Sequence, residues 1–418
     1  MYYIRENAKA ILEENVAKYN RFKELNLKLD MSRGKPCVEQ LDLTNGIFDV
    51  FSSKDIPIGS QDYRNYGIID GIPEAKELFG ALCGVEKDEI MVLGNSSLTI
   101  MYDTLQRAMQ FGVDGNLPFN KQEKIKWLCP VPGYDRHFAI TELFGIEMIN
   151  VPMLNDGPDM NVIEEYVEND SAVKGVWCVP KYSNPQGIVY SDETVIRFAK
   201  LKPAANDFRI YWDNAYMVHH LGKDVPLLNL LQEAKKYGNE DMVYMFGSTS
   251  KISFSGSGIA FLCASKHNID SLKKLMFFQM IGPDKIAQYA HVKFFGSVEN
   301  LLKHMDKQAE LLKPKFKVVS DVLNKELKEL CQWVEPRGGY FFGVDLPTGT
   351  AKRTVELCKE AGVVLTEAGA TYPYKNDPND TSIRIAPSMP SIDDLTKAME
   401  VFACCVKIAW AEKEVEKE

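Results

Sequence analysis

Met242-Val243-Tyr244-Met245-Phe246 runs directly into Gly247-Ser248-Thr249-Ser250-Lys251, and this junction decides the fold. An apolar run that switches at once to small hydroxyl-bearing residues reads as a buried strand ending in a loop. Working outward, the same form recurs. Apolar runs lie at Glu89–Leu93, Ile125–Cys129, Glu147–Val151, Gly175–Val179, Phe208–Trp212, Val243–Phe246 and Gly258–Ala264. Segments with helical spacing separate most of them, for example Leu98–Phe111, Asp192–Leu201 and Val225–Tyr237. Strands alternating with helices predict an α/β domain on a mostly parallel sheet of seven strands. The last two runs are joined only by a Ser/Gly-rich loop, so one strand is expected to run antiparallel.

The flanks have a different rhythm. Ile4, Ala8, Ile11, Leu12, Val16 and Tyr19 make a helical stripe, and after Ser32-Arg33-Gly34-Lys35-Pro36 the chain is irregular up to about Asp70. Pro73 to Leu82 again reads as helix. From Leu301 a charged helical stretch leads through Gly338-Gly339-Tyr340-Phe341-Phe342 to a helix near Ala351–Ala361. Val363–Thr366, Ser382–Ala386 and a terminal helix from Ile392 follow. The expected division is a large domain over residues 46–300 and a smaller α+β domain from residues 1–45 and 301–418.

Composition excludes several classes. The 418 residues are 45% hydrophobic and 26% charged, which is globular usage rather than a disordered or low-complexity chain. With 49 Lys+Arg against 58 Asp+Glu the net charge is −9, a poor balance for binding nucleic acid. The nine Cys include no CxxC and sit mostly in apolar runs, as reduced core thiols do. Zinc spacing such as HExxH is absent, no apolar stretch is long enough to span a membrane, and the first twenty residues lack a secretory h-region. A cytoplasmic protein acting on small molecules is expected.

In open α/β sheets the ligand crevice forms at the carboxyl ends of strands. Four ends carry chemistry. Lys251 can be desolvated and used as a nucleophile, although taken alone it reads more often as a surface lysine in a polar turn. Asp213, closing Phe208–Trp212, is a half-buried carboxylate that needs a positive partner, and a protonated pyridine nitrogen fits; the competing role is a helix cap. Asn184, in Asn184-Pro185-Gln186-Gly187, offers a donor and an acceptor from a tight turn. Gly94-Asn95-Ser96-Ser97 opens a helix and suits a phosphate, or is a routine Ser cap. Together the four suit pyridoxal phosphate.

The ordered set Tyr66…Gly71-Ile72-Pro73-Glu74, Gly94-Asn95-Ser96-Ser97, Pro132-Gly133-Tyr134, Asn184-Pro185-Gln186-Gly187, Asp213-Asn214-Ala215-Tyr216, Ser248-Thr249-Ser250-Lys251 and Arg384 resembles the fold-type I, class I/II pyridoxal-phosphate aminotransferases. It resembles most their MocR-type branch with its bacterial aspartate aminotransferases, because Gly256-Ser257-Gly258-Ile259-Ala260 stands where many relatives carry a phosphate-binding Arg. The resemblance implies an aminotransferase acting on an L-amino acid, aspartate foremost, and a 2-oxo acid, 2-oxoglutarate foremost. It implies a homodimer with shared active sites. Lys251 would be the Schiff-base lysine and proton shuttle, and Asp213 the partner of the ring nitrogen. Asn184 and Tyr216 would bond the ring's phenolic oxygen, and Tyr134 would stack on the ring. Asn95, Ser96, Ser97, Ser248 and Ser250, with Ser255 or Ser257, would hold the phosphate, joined by Tyr66 across the dimer. Arg384, Asn184 and Gly34 would bind the substrate, Arg384 pairing with its α-carboxylate. Arg33, Lys35 and Arg337 are the options for a second substrate carboxylate. The alternatives are a lyase or decarboxylase on the same scaffold, or an effector-binding regulator; the latter needs a DNA-binding module before SRGKP, which the thirty or so preceding residues do not fit.

Overall fold

The computed structural model describes residues 7–55 and 61–417; Ile4 of the predicted N-terminal stripe lies outside them. Thirteen strands are present among the described residues: β1 Leu29–Asp30, β2 Ile90–Val92, β3 Lys126–Val131, β4 Glu147–Leu154, β5 Gly157–Pro158, β6 Val173–Cys178, β7 Arg209–Asp213, β8 Val243–Ser248, β9 Ala260–Ala264, β10 Gln332–Trp333, β11 Phe342–Asp345, β12 Val363–Val364 and β13 Ser382–Ile385. The large sheet runs β2-β9-β8-β7-β6-β3-β4-β5. It therefore has eight strands rather than seven. The addition is β5, two residues pairing antiparallel with the end of β4, too short to register as an apolar run. β9 is antiparallel to both neighbours and lies inside the sheet, while β4, β3, β6, β7 and β8 pair in parallel.

Side chains alternate between two buried faces, as the strand period of two requires. Ile210 and Trp212 of β7, with Val243 and Met245 of β8, enter one core cluster; Tyr211, Tyr244 and Phe246 enter another on the opposite face. A sheet covered on both sides explains why its strands read as continuous apolar runs. A third cluster gathers Tyr19, Met31, Phe316, Phe342, Ile383 and the helix Ile392–Val415. The helix Val298–Val322 gives Leu301 and Met305 to the first cluster and Leu312, Phe316 and Val319 to the third. β1 pairs in parallel with β12, tying the N-terminal segment to the C-terminal one.

One predicted helix is much shorter than expected. Val225–Tyr237 is helical only over Leu230–Lys235, because Pro226 cannot donate to a helix and Asn229 caps the N-terminus through Gln232 N–H. The helices Asp135–Leu143, Met160–Asn169, Lys266–Met276 and Lys285–Phe295 were not expected from spacing. All nine cysteines are free, and all but Cys83 are buried. Among the described residues no helix is long and apolar enough to cross a membrane.

Candidate active site

Two adjoining cavities open at the carboxyl ends of β6, β7 and β8. The smaller, about 140 Å³, is lined by Ser96, Ser97, Tyr134, Asn184, Asp213, Tyr216, Ser248, Ser250 and Lys251 among others. The larger, about 570 Å³, shares Tyr134, Asn184, Tyr216 and Lys251 and adds Gly34, Phe341 and Arg384. Tertiary structure thus collects residues more than 300 positions apart in the sequence.

Asp213, the last residue of β7, is buried. Its Oδ2 accepts a hydrogen bond from His137 Nε2 at 3.0 Å. Its Oδ1 is buried with no partner at all. His137 is itself fixed: its ring stacks on Trp177 at 4.4 Å, and its carbonyl accepts from Thr141 Oγ1, which in turn accepts from Trp177 Nε1. A buried carboxylate oxygen without a donor is costly, so this one is prepared for a charged N–H arriving from the cavity. A pyridinium nitrogen is such a donor, and the residues present fit pyridoxal phosphate on this observation.

Lys251 follows the turn after β8, with Nζ 5.1 Å from the Tyr216 ring centroid and 5.9 Å from that of Tyr340. Burial pulls its amine below the ordinary lysine value, with the charge of Asp213 acting the other way. Its carbonyl is 3.3 Å from Nε2 of His219, whose own pKa falls to about 3 through burial and then the nearby Lys251 charge. His219 is therefore neutral at physiological pH and donates to that carbonyl. Burial also raises the phenol of Tyr134, to about 12.

The end expected to hold a phosphate is made of hydroxyls and a helix start. Ser96 precedes the helix Ser97–Phe111 and makes no side-chain cap bond. Ser248 Oγ donates to Ser250 Oγ at 3.0 Å, and Ser250 Oγ to the Asn95 carbonyl at 3.3 Å. The Asn95 side chain is engaged elsewhere, its amide donating to the carbonyls of Ser255 and Gly256, and it does not line the small cavity. Ser255 and Ser257 are exposed and also lie off that cavity. Tyr66 is 81% exposed and lines neither cavity.

Arg384, in the middle of β13, is only 7% exposed. Its guanidinium lies 4.9 Å from the Phe341 ring centroid and pairs with Asp135 at 2.9 Å. Gly34 packs against the same ring: a Cβ there would come within 2.5 Å of Phe341 Cζ, so a side chain at position 34 would displace the wall of the cavity. Arg33 and Lys35 line the larger cavity; Arg337 does not. Spacing did not point to His137, Trp177, Asp135 or the cavity-lining Arg136. The only advance signal for His137 was its place three residues after Tyr134.

The whole described chain matches a known pattern. Residues 4–418 match the family model of aspartate amino-transferase. An aspartate aminotransferase of Corynebacterium glutamicum is 42% identical over 405 residues, spanning 96% of this chain and 94% of that one. The crystal structure of an aspartate transaminase from C. glutamicum superposes with a TM-score of 0.95 at 41% identity, covering 98% of this chain and 97% of that one. An α-aminoadipate aminotransferase from Thermus thermophilus, solved with N-(5'-phosphopyridoxyl)-L-leucine, gives a TM-score of 0.76 at 16% identity over 95% of each chain, a likeness of fold alone. These similarities favour the transferase over the lyase, decarboxylase and regulator alternatives. With a cavity that fits the cofactor and a match along its length, the chain belongs to the aspartate amino-transferase family, as a pyridoxal-phosphate-dependent aminotransferase of fold type I.

Proposed function

We propose that the chain transfers the amino group of L-aspartate to 2-oxoglutarate, with the site residues acting as follows. The observation that carries this reading is the pair of adjoining cavities that share Lys251, with the unpartnered Asp213 Oδ1 on the smaller and the buried Arg384 guanidinium on the larger. Pyridoxal phosphate, when bound, supplies the electron sink that makes the substrate Cα–H acidic. Lys251 Nζ, its affinity for a proton lowered by burial, removes the proton from Cα and returns it later. Asp213 Oδ1 accepts the ring N–H while His137 holds Oδ2. Asn184 and Tyr216 address the ring's phenolic oxygen, and Tyr134 covers its face. Ser96, Ser97, Ser248, Ser250 and the helix start at Ser97 hold the phosphate, with Asn95 fixing the 255–256 loop beside them. Arg384 binds the α-carboxylate, and Gly34 keeps that end of the cavity clear.

Aspartate is supported by the name of the C. glutamicum relative and by the cavity rim, which carries the cationic side chains of Arg33, Lys35 and Arg136. An Arg33→Gln/Arg136→Gln double variant is expected to raise KM for aspartate by roughly three- to thirty-fold, at ~0.3–1 kcal/mol per exposed pair. KM for alanine, which has no second carboxylate, should stay within about two-fold. Equal changes for both amino acids would remove the rim from specificity.

We assign a large domain to residues 46–300 and a small one to residues 1–45 and 301–418, and place the protein in the cytoplasm, where nine unpaired thiols are stable. A homodimer is supported by exposed apolar residues around Tyr66. Gly282 packs against the Gly67 carbonyl, and Phe277, Phe278 and Ile281 beside it are 73%, 85% and 61% exposed. Sedimentation should give a species of twice 47.3 kDa, and Phe277→Ser/Phe278→Ser should shift it to one chain. The matching family model, that of aspartate amino-transferase, gives no support to the narrower MocR-type branch.

A further inference from the structure

Arg384 is fully engaged before any substrate arrives. A guanidinium has five N–H groups. Here Nη1 donates to Asp135 Oδ1 at 2.9 Å and Asn184 Oδ1 at 3.3 Å. Nη2 donates to Thr366 Oγ1 at 3.2 Å and the Ser32 carbonyl at 3.5 Å, and Nε to Thr366 Oγ1 at 3.3 Å. An incoming carboxylate cannot take any of these N–H groups unless an existing acceptor leaves, and release of Asp135 frees the one it holds on Nη1.

Asp135 is the acceptor placed to leave. It is the first residue of the helix Asp135–Leu143, it lines the larger cavity, and its side chain is 34% exposed against 7% for Arg384. The neutral acceptors are fixed. Asn184 is 4% exposed, the Ser32 carbonyl is backbone, and Thr366 Oγ1 donates to that same carbonyl at 2.8 Å. With the Phe341 ring beneath, they hold the guanidinium plane whichever carboxylate lies in front of it.

We propose that Asp135 is an internal stand-in for the substrate α-carboxylate: it neutralises Arg384 in the substrate-free enzyme and is displaced into the cavity by the incoming carboxylate. A buried guanidinium stripped of its carboxylate is strongly destabilising, and a carboxylate-for-carboxylate exchange never leaves it bare. The exchange also weakens the binding of every substrate by a common factor, because every substrate of this reaction carries the displacing group. Asp135 is then a positioning residue that acts through Arg384, and the proposal rests on the reading of Arg384 as the carboxylate receptor.

The test uses the holoenzyme and succinate, a dicarboxylate with no amino or oxo group to react, titrated calorimetrically. Asp135→Asn is expected to bind succinate about five-fold more tightly, the order of a partly exposed ion pair. KM for aspartate and for 2-oxoglutarate should fall together by a similar factor, the change lying in KM rather than kcat. Asp135→Ser should behave alike and serves if the asparagine variant folds poorly; cofactor uptake checks the fold of either. Arg384→Gln is the control. If it leaves succinate affinity intact, the reading of Arg384 fails and the proposal with it. If Arg384→Gln weakens succinate but both Asp135 variants bind it equally or more weakly than wild type, Arg384 stands and the stand-in role is overturned.

Discussion

Lys251→Ala is expected to lower kcat/KM for aspartate by about five to six orders of magnitude, the loss typical when a nucleophile that also moves the proton is removed. In the proposed function the residue does both tasks from one atom, and among the described residues lining the small cavity no other amine is available. Cofactor should still bind through the serine hydroxyls and Asp213, so the variant separates binding from chemistry. A rate within a hundred-fold of wild type would show that another group moves the Cα proton. The same substitution carries a stability signature. Burial lowers the folded-state pKa of Lys251, so as pH falls through the lysine range the unfolded chain takes up its proton first. The folded cofactor-free protein therefore loses stability across that window and keeps the deficit below it. Lys251→Met removes the deficit, and its advantage in urea unfolding should be larger at neutral pH than at strongly alkaline pH.

Asp213→Asn should cost two to four orders of magnitude in kcat, following the ~3–5 kcal/mol expected when one partner of a buried charge pair is lost. An amide still meets His137, and the fold should persist, but no negative charge then faces the ring nitrogen. His137→Phe separates charge from position. The carboxylate stays while one hydrogen bond goes, so a loss nearer tenfold is expected, about 1.5 kcal/mol for a bond to a charged group. Comparable losses in both variants, measured in steady state with saturating cofactor, would mean that His137 contributes more than orientation.

The parts of this site that were legible in the sequence share a cause. Asp213 closes one apolar run and Lys251 lies in the polar turn that follows another, and a strand buried on both faces gives way to polar residues at the crevice. The seven runs were visible for the same reason, since Tyr211 and Trp212 or Tyr244 and Met245 serve opposite cores without interruption. What stayed hidden depends on partners distant in the chain. His137 contacts Asp213 across 76 positions, and Asp135 contacts Arg384 across 249. Both lie on the helix Asp135–Leu143, whose buried residues His137, Phe138, Ile140 and Thr141 are too polar to form an apolar stripe. A histidine or aspartate there looks like solvated surface until the fold brings a charge to it. The Asn95 side chain shows the converse: its neighbours pointed to the phosphate, but its amide holds the 255–256 loop, which only the path of that loop could reveal.

Transamination by this protein is read most directly from its absorbance after reconstitution with pyridoxal phosphate. L-Aspartate is added alone and 2-oxoglutarate afterwards, with Lys251→Ala in parallel. Aspartate is expected to convert the band of the bound aldehyde form to that of the amine form, 2-oxoglutarate to restore it, and the variant to show neither change within the same time. A cofactor-loaded wild-type protein whose spectrum is unmoved by aspartate would contradict the proposed function.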